Sequence, residues 1–206
     1  MKILVALTYY RPHTSGLTIY VERLSKALAA RGHQVRILTS QYDRQLPLRE
    51  TVGGVEIVRV PVAFRISKGV IMPGFGLEAT RQARWADVIH LHLPQFDAAG
   101  LALRGRLMRK PTVITYHCDL LMPPGWLSWI ANKAILLMND LAGWFTHQVV
   151  AYTRDYAENS PYLRRLMGKL RVISPPVELP EIGQEAKAAF ARRISLTNRS
   201  PVIGMA

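Results

Sequence analysis

Apolar residues fall into short bounded runs separated by stretches in which they recur every third or fourth position, and this alternation repeats along most of the chain. The first run, Ile3-Leu4-Val5-Ala6-Leu7, has the length and boundaries of a buried strand. Ile19, Val21, Leu24, Ala27 and Leu28 follow at helical spacing, Gly32 stops that helix, and Val35-Arg36-Ile37-Leu38-Thr39 reads as a second strand. Two parallel strands joined by a helix form a right-handed βαβ unit. In such units ligands bind beyond the carboxyl ends of the strands, against the helix N-terminus. The segment Thr8–Leu17 occupies that place.

Further along, Gln41 to Glu50 is polar and reads as loop. Thr51 to Val60 reads as a small hairpin turning at Gly53-Gly54 and stopped by Pro61. Phe64 to Phe75 is an irregular basic and apolar stretch, expected to be loop. Helices expected over Leu77–Trp85, Ala98–Met108, Leu127–Phe145 and Arg154–Leu166 then alternate with strands Asp87–His92, Thr112–Tyr116, Gln148–Ala151 and Leu170–Ile173. Asp119 to Pro124 reads as loop. This order predicts an α/β fold whose doubly wound, mainly parallel sheet is covered on both faces.

Ser174-Pro175-Pro176 and Pro180 end the pattern, because prolines this dense cannot enter a sheet interior. The expected organisation is a domain over residues 1–174, a proline-rich hinge over 175–183, and a last segment over 184–206. That segment holds a charged helix, Gln184–Ser195, and a run from Ser200 to Ala206 that reads as the start of a buried strand. A strand with no helix to cover it predicts a truncated second domain.

Composition sharpens this. With 206 residues, nearly half of them apolar, the chain can bury a substantial core. The single cysteine, Cys118, excludes an intrachain disulfide and suits a reducing compartment. The apolar run after Lys2 is too short for a secretory leader, and Lys133 and Asp140 interrupt the most hydrophobic region before it reaches the roughly 18 residues of a membrane span. A cytoplasmic protein is expected. Its net charge of +13, carried mainly by arginine, would attract phosphorylated metabolites, nucleic acid or an anionic membrane surface. The cations are scattered, with small clusters at Arg104-Arg106-Arg109-Lys110 and Arg164-Arg165-Lys169-Arg171 and no nucleic-acid motif beside them. No nucleic-acid partner is expected, and a merely solvated basic surface accounts for the charge equally well.

Several residues could carry chemistry. Gly16 stands where unpaired amides and the helix dipole favour an anion, although turn glycines are common at such places. His90 and His92 share one face of a strand, and His117 and Asp119 follow the next strand. Together they could form a metal set for hydrolysis. They read better as structural or cleft-wall residues, with His117 at a strand's carboxyl end, where an imidazole can hydrogen-bond a sugar hydroxyl or phosphate oxygen. Gly74-Phe75-Gly76-Leu77-Glu78-Ala79 matches a dinucleotide fingerprint in letters but follows a loop, so it is read as chance. Trp126, Trp129, Trp144 and Phe145, with Leu121, Met122, Ile130, Leu136, Leu137 and Met138, read as core first, and otherwise as a surface that touches lipid or a lipid-linked acceptor.

In combination, Pro12-His13-Thr14-Ser15-Gly16, the run Tyr20 to Leu28, and Arg31-Gly32-His33-Gln34-Val35 resemble the N-terminal domain of family 4 (group 1) glycosyltransferases of the GT-B fold. Asp87 to His92, Thr115-Tyr116-His117 and Val172 to Val177 fall in that family's order and spacing. The resemblance implies a Rossmann-like acceptor-side domain, one half of a GT-B fold. It implies retaining transfer of a sugar from a nucleotide-sugar donor to a sugar or lipid-linked acceptor, with no metal or other cofactor. The loop His13, Thr14, Ser15 and Gly16 would approach the donor diphosphate, His117 would be the catalytic residue beside the donor sugar, and His92 and Asp119 would line the cleft. Family members usually carry two glycines in that loop; Ser15 replaces the first. Their C-terminal half, with the basic pair for the diphosphate, has no counterpart before Ala206, so this chain alone is expected to be inactive. The alternatives are a non-catalytic binding module, one chain of a split transferase, or a metal-dependent hydrolase.

Overall fold

A computed structural model describes residues 1–66, 69–119, 125–177 and 181–193. The chain divides into two units, Met1–Pro176 and Val177–Ala206. In the first unit β1 (Lys2–Ala6), α1 (Gly16–Ala30) and β2 (Gln34–Gln41) are followed by β3 (Arg49–Val52) and β4 (Val55–Pro61). A short ribbon, β5 (Phe64–Ile66) and β6 (Gly69–Ile71), precedes α2 (Phe75–Trp85), β7 (Val88–Leu93) and α3 (Ala98–Leu107). Then come β8 (Thr112–Tyr116), α4 (Trp126–Phe145), β9 (Gln148–Ala151), α5 (Arg154–Asn159), a 3-10 segment (Leu163–Lys169) and β10 (Leu170–Val172). The second unit contributes α6 (Gln184–Arg193), on which no residue is buried.

The sheet runs β10-β9-β8-β7-β1-β2-β4-β3. All its pairings are parallel except β3 with β4. The chain winds outward from β1 through β2 to β4, then returns to β7 on the other side of β1, which makes the β1–β7 boundary the switch point where open α/β sheets place ligands. Alternation along β1 decides what covers each face. Ile3, Val5 and Leu7 join a core with Tyr20 and Val21 of α1, whereas Leu4 and Ala6 join the larger core that α2, α3 and α4 cover. Gly32, at φ +81°, takes the left-handed conformation that ends α1.

Four expectations change. The 51–60 hairpin forms around Gly53-Gly54 but is not a separate unit: Val55, Ile57, Val58 and Val60 are all buried, and β4 also pairs in parallel with β2, which leaves β3 at that edge of the main sheet. The expected 64–75 loop contains the β5–β6 ribbon. The helix expected to reach Leu166 breaks after Asn159, because Pro161 disfavours a helical Ser160, which is extended at φ −77°, ψ 124°. The tryptophans of α4 are not core. Trp126, Trp129 and Trp144 are 73%, 63% and 70% exposed and share an outer stripe with Lys133 and Leu137, while Asn139 and Ala142 face inward. The readings of Leu121 and Met122, the 120–124 part of the loop, Pro180 and the strand from Ser200 fall outside the described residues, as does the side chain of Ile130.

Candidate functional site

The loop from β1 to α1 is tied down before the helix begins. Ser15 caps α1: its hydroxyl accepts from the Thr18 amide at 3.2 Å, and the Thr18 hydroxyl accepts from the Ser15 amide at 2.8 Å. This reciprocal box uses the amides of Ser15 and Thr18 and leaves those of Gly16 and Leu17, in the first turn, without a partner among the described residues. Ser15 therefore acts as the helix cap of α1. Gly16 has no left-handed φ, and a methyl added there would meet nothing within 4 Å, so neither the turn nor packing demands a glycine. Thr14 accepts from Arg11 at 3.0 Å, and His13 stacks on Tyr9 with Tyr42 at its edge, centroids 5.0 and 5.9 Å away.

Arg59 anchors this loop from beneath, and sequence reasoning missed it. Its side chain is 1% exposed. It donates to the carbonyls of Pro47 (2.9 Å) and Arg11 (3.0 Å) and pairs with Glu50. A charged residue inside the run Val58-Arg59-Val60 was the available signal, since a buried cation needs partners. Arg11 in turn pairs with Glu22 of α1 at 2.6 Å, and Glu22 with Lys26 at 2.8 Å. The cleft of about 410 Å³ beside them is lined by Tyr10, Arg11, Glu22, Lys26 and Glu50. Its charged groups are thus already matched to one another.

His117 stands one residue past β8, at the carboxyl edge of the sheet. Tyr20, in the second turn of α1, meets its ring edge-on at 5.1 Å and that of His92 at 5.7 Å, so the start of α1 and His117 face one crevice. His92 Nδ1 lies 2.9 Å from His117 Nε2, and the Tyr152 hydroxyl lies 2.5 Å from His117 Nδ1. Tyr152 is one residue past β9, and Thr115 pairs with Val150, so residues 117 and 152 continue one register beyond the strands. That register could have revealed Tyr152 from the sequence; its letters carry no motif. Burial lowers the proton affinity of all three histidines, His90 and His117 to about 4 and His92 well below the usual value, and it raises the Tyr152 phenol. The cluster is therefore neutral near pH 7.

Asp119 does not join His117. Its carboxylate accepts hydrogen bonds from Tyr116 (3.0 Å), Tyr156 (3.0 Å) and Ser160 (2.9 Å), on the α5 side. His90 spends its Nε2 on Thr115 at 2.8 Å. Among the described residues, no three histidine, cysteine or acidic side chains are arranged to hold a metal ion. Gly74 opens α2 after the β6 ribbon rather than a strand of the main sheet, which leaves the dinucleotide-like letters without their structural context.

The fold is that of a Rossmann-like domain of the GT-B class. The Glycosyltransferase Family 4 model matches residues 14–181, and the chain belongs to that family. It is 29% identical to a D-inositol 3-phosphate glycosyltransferase of Xylanimonas cellulosilytica, across 91% of this chain and 50% of that protein. It is also 29% identical to a D-rhamnosyltransferase of Pseudomonas aeruginosa, across 81% of this chain and 42% of that protein. The chain spans about half the length of the curated relatives it matches, or less. In fold it resembles a sucrose-phosphate synthase structure from Thermosynechococcus elongatus, with TM-score 0.52, 17% identity, and 95% and 96% of the two chains covered. It also resembles UDP-GlcNAc 2-epimerase from Methanocaldococcus jannaschii, with TM-score 0.56, 15% identity, and 85% and 46% covered.

Proposed function

We propose that this chain is the acceptor-side half of a retaining glycosyltransferase that moves a sugar from a nucleotide-sugar to a glycan or lipid-linked acceptor. The observation that carries the reading is the meeting of two features through Tyr20: the first turn of α1, with its unpaired Gly16 and Leu17 amides, and the imidazole of His117. An anion accepted by that turn would place the sugar beyond it near His117. A glycine that neither φ nor packing requires at position 16 is accounted for by close approach of a ligand. His13 and Thr14 extend the same loop, His92 backs His117, and Asp119 holds the loop that carries His117. Titration of the 206-residue chain with UDP- and GDP-sugars, read by amide chemical shifts, should show weak binding centred on Gly16, Leu17 and His117, with little or no turnover. Shifts confined elsewhere would remove this crevice from the reaction, and robust turnover by the chain alone would overturn its assignment as a half.

The α4 stripe supports a peripheral contact with an anionic membrane, where a lipid-linked acceptor resides. Trp126, Trp129 and Trp144 are exposed, Lys133 lies among them, and Arg164 is exposed on the adjoining 3-10 segment. Among the described residues no helix is long and apolar enough to cross a membrane. Vesicles containing anionic lipid should retain the protein at low salt and release it as salt rises. Equal retention by neutral vesicles would exclude the electrostatic part.

A further inference from the structure

The hydrogen bonds around His117 fix a direction, and that direction selects a group not yet given a role. His92 Nε2 is buried with no partner among the described residues, while its Nδ1 lies 2.9 Å from His117 Nε2. One of those two facing nitrogens carries the proton. Were it His117, the neutral His92 ring would hold its own proton on Nε2, as a buried donor with nothing to receive it. A buried N–H without an acceptor is a rare and costly arrangement, and an unmet acceptor is the better tolerated of the two. His92 is therefore protonated on Nδ1 and donates to His117. The neutral His117 ring must then hold its proton on Nδ1, which faces the Tyr152 oxygen. The Tyr152 oxygen is left accepting from His117, so its own hydrogen points elsewhere.

We propose that the chain His92→His117→Tyr152 runs in this one direction and that the Tyr152 hydroxyl is its donating end, offered to an oxygen of the nucleotide-sugar in the crevice. His117 is then a positioning residue whose two nitrogens are both spent, and Tyr152 is the group that touches the ligand. Tyr152 is half-buried, with its ring edge-on to His117 at 5.6 Å and tilted against Tyr20 at 5.6 Å, so its hydroxyl is positioned by these two aromatic neighbours rather than by a flexible stem. An O–H donor can meet either a sugar hydroxyl or a non-bridging phosphate oxygen, and both are present in the proposed ligand. The ligand part of this inference rests on the sugar-transfer reading; the direction of the relay does not.

The test is nitrogen-15 spectroscopy of histidine-labelled protein near neutral pH, which distinguishes protonated from unprotonated ring nitrogens. His92 and His117 should both carry the proton on Nδ1, the minor form of a free imidazole. A proton on Nε2 of either ring would overturn the relay. Tyr152→Phe should keep the fold, move the His117 Nδ1 signal, and weaken UDP- or GDP-sugar binding about tenfold, the size of one hydrogen bond. Wild-type affinity in that variant would overturn the assignment of Tyr152 as the donor. Absence of binding by the unsubstituted protein would count against the sugar-transfer reading and the ligand contact together, while the two tautomers would still decide the relay.

Discussion

Two polar clusters grow from the same strand end and do opposite things. His117 and Asp119 are two residues apart beyond β8, yet one turns towards α1 and the other towards α5. Around Asp119 a charge is saturated: three hydroxyls, from Tyr116, Tyr156 and Ser160, converge on its two oxygens. Around His117 there is no charge, only a line of rings whose hydrogen bonds lead from the buried His92 out to Tyr152. A closed cluster holds a fold together, and an open-ended one leaves a donor to spare. The difference teaches that residue type and position at a strand terminus do not assign a role; the count of unmet partners does.

Breaking the closed cluster should have the largest effect. Asp119→Ala strands the buried Tyr116 hydroxyl and that of Ser160, and about 3 kcal/mol of stability should be lost in a urea titration. A midpoint equal to wild type would show that the three hydroxyls find other partners. Breaking the open cluster should hit chemistry harder than the fold. In a chain that also carries a donor-binding half, His117→Ala should lower kcat at least about 100-fold, equivalent to about 2.7 kcal/mol, because the groups it positions are released. An unchanged rate would take His117 out of the site.

Acid sharpens the contrast. An unfolded histidine titrates near 6.5, whereas burial holds His90 and His117 to about 4 in the folded chain. Between those values the unfolded chain binds protons that the folded one refuses. The stability is thus whole above about pH 6.5 and is lost as pH falls towards 4, at roughly 1.4 kcal/mol per pH unit for each histidine. Proton spectra should show neither ring titrating down to about pH 5; titration near 6.5 would contradict a neutral buried cluster. The smallest effect is expected at Gly16. With an ordinary φ and open space around the added methyl, Gly16→Ala should change stability by less than about 1 kcal/mol while weakening nucleotide-sugar binding. Undiminished binding would mean that no ligand comes close to that backbone.

The sequence was most informative where period and punctuation agreed. The βαβ start, the His90–His92 strand and the β8 and β9 strands are short apolar runs between helical spacings, and the parallel sheet follows from their order. It misled where one signal served two states. The glycine pair at 53–54 announced a hairpin correctly but concealed that β4 continues inward, because a strand buried on both faces looks like any other apolar run. The hydrophobic weight of α4 suggested core, yet three of its bulkiest side chains face out, since composition does not say which way a stripe points. At the site, His117 and the Ser15–Gly16 turn were legible from strand ends and helix starts. Arg59 and Tyr152 left only indirect signals, a charge inside an apolar run and a register shared with His117, and Tyr20 left none, because its importance lies in contacts with His92, His117 and Tyr152 that no local pattern encodes.

The anchoring of the first loop by Arg59 carries a kinetic consequence. Its guanidinium grips the Arg11 carbonyl from β4, so the bend ahead of α1 acquires its shape when the protein folds. A ligand that docks at that bend, as proposed, would find amides already aimed and no loop to order, which would remove an ordering penalty of the kind that weakens association with floppy receptors. Its residence would then be governed by how quickly contacts let go, and cutting the Arg59 tether would slow arrival without touching a group that meets the ligand.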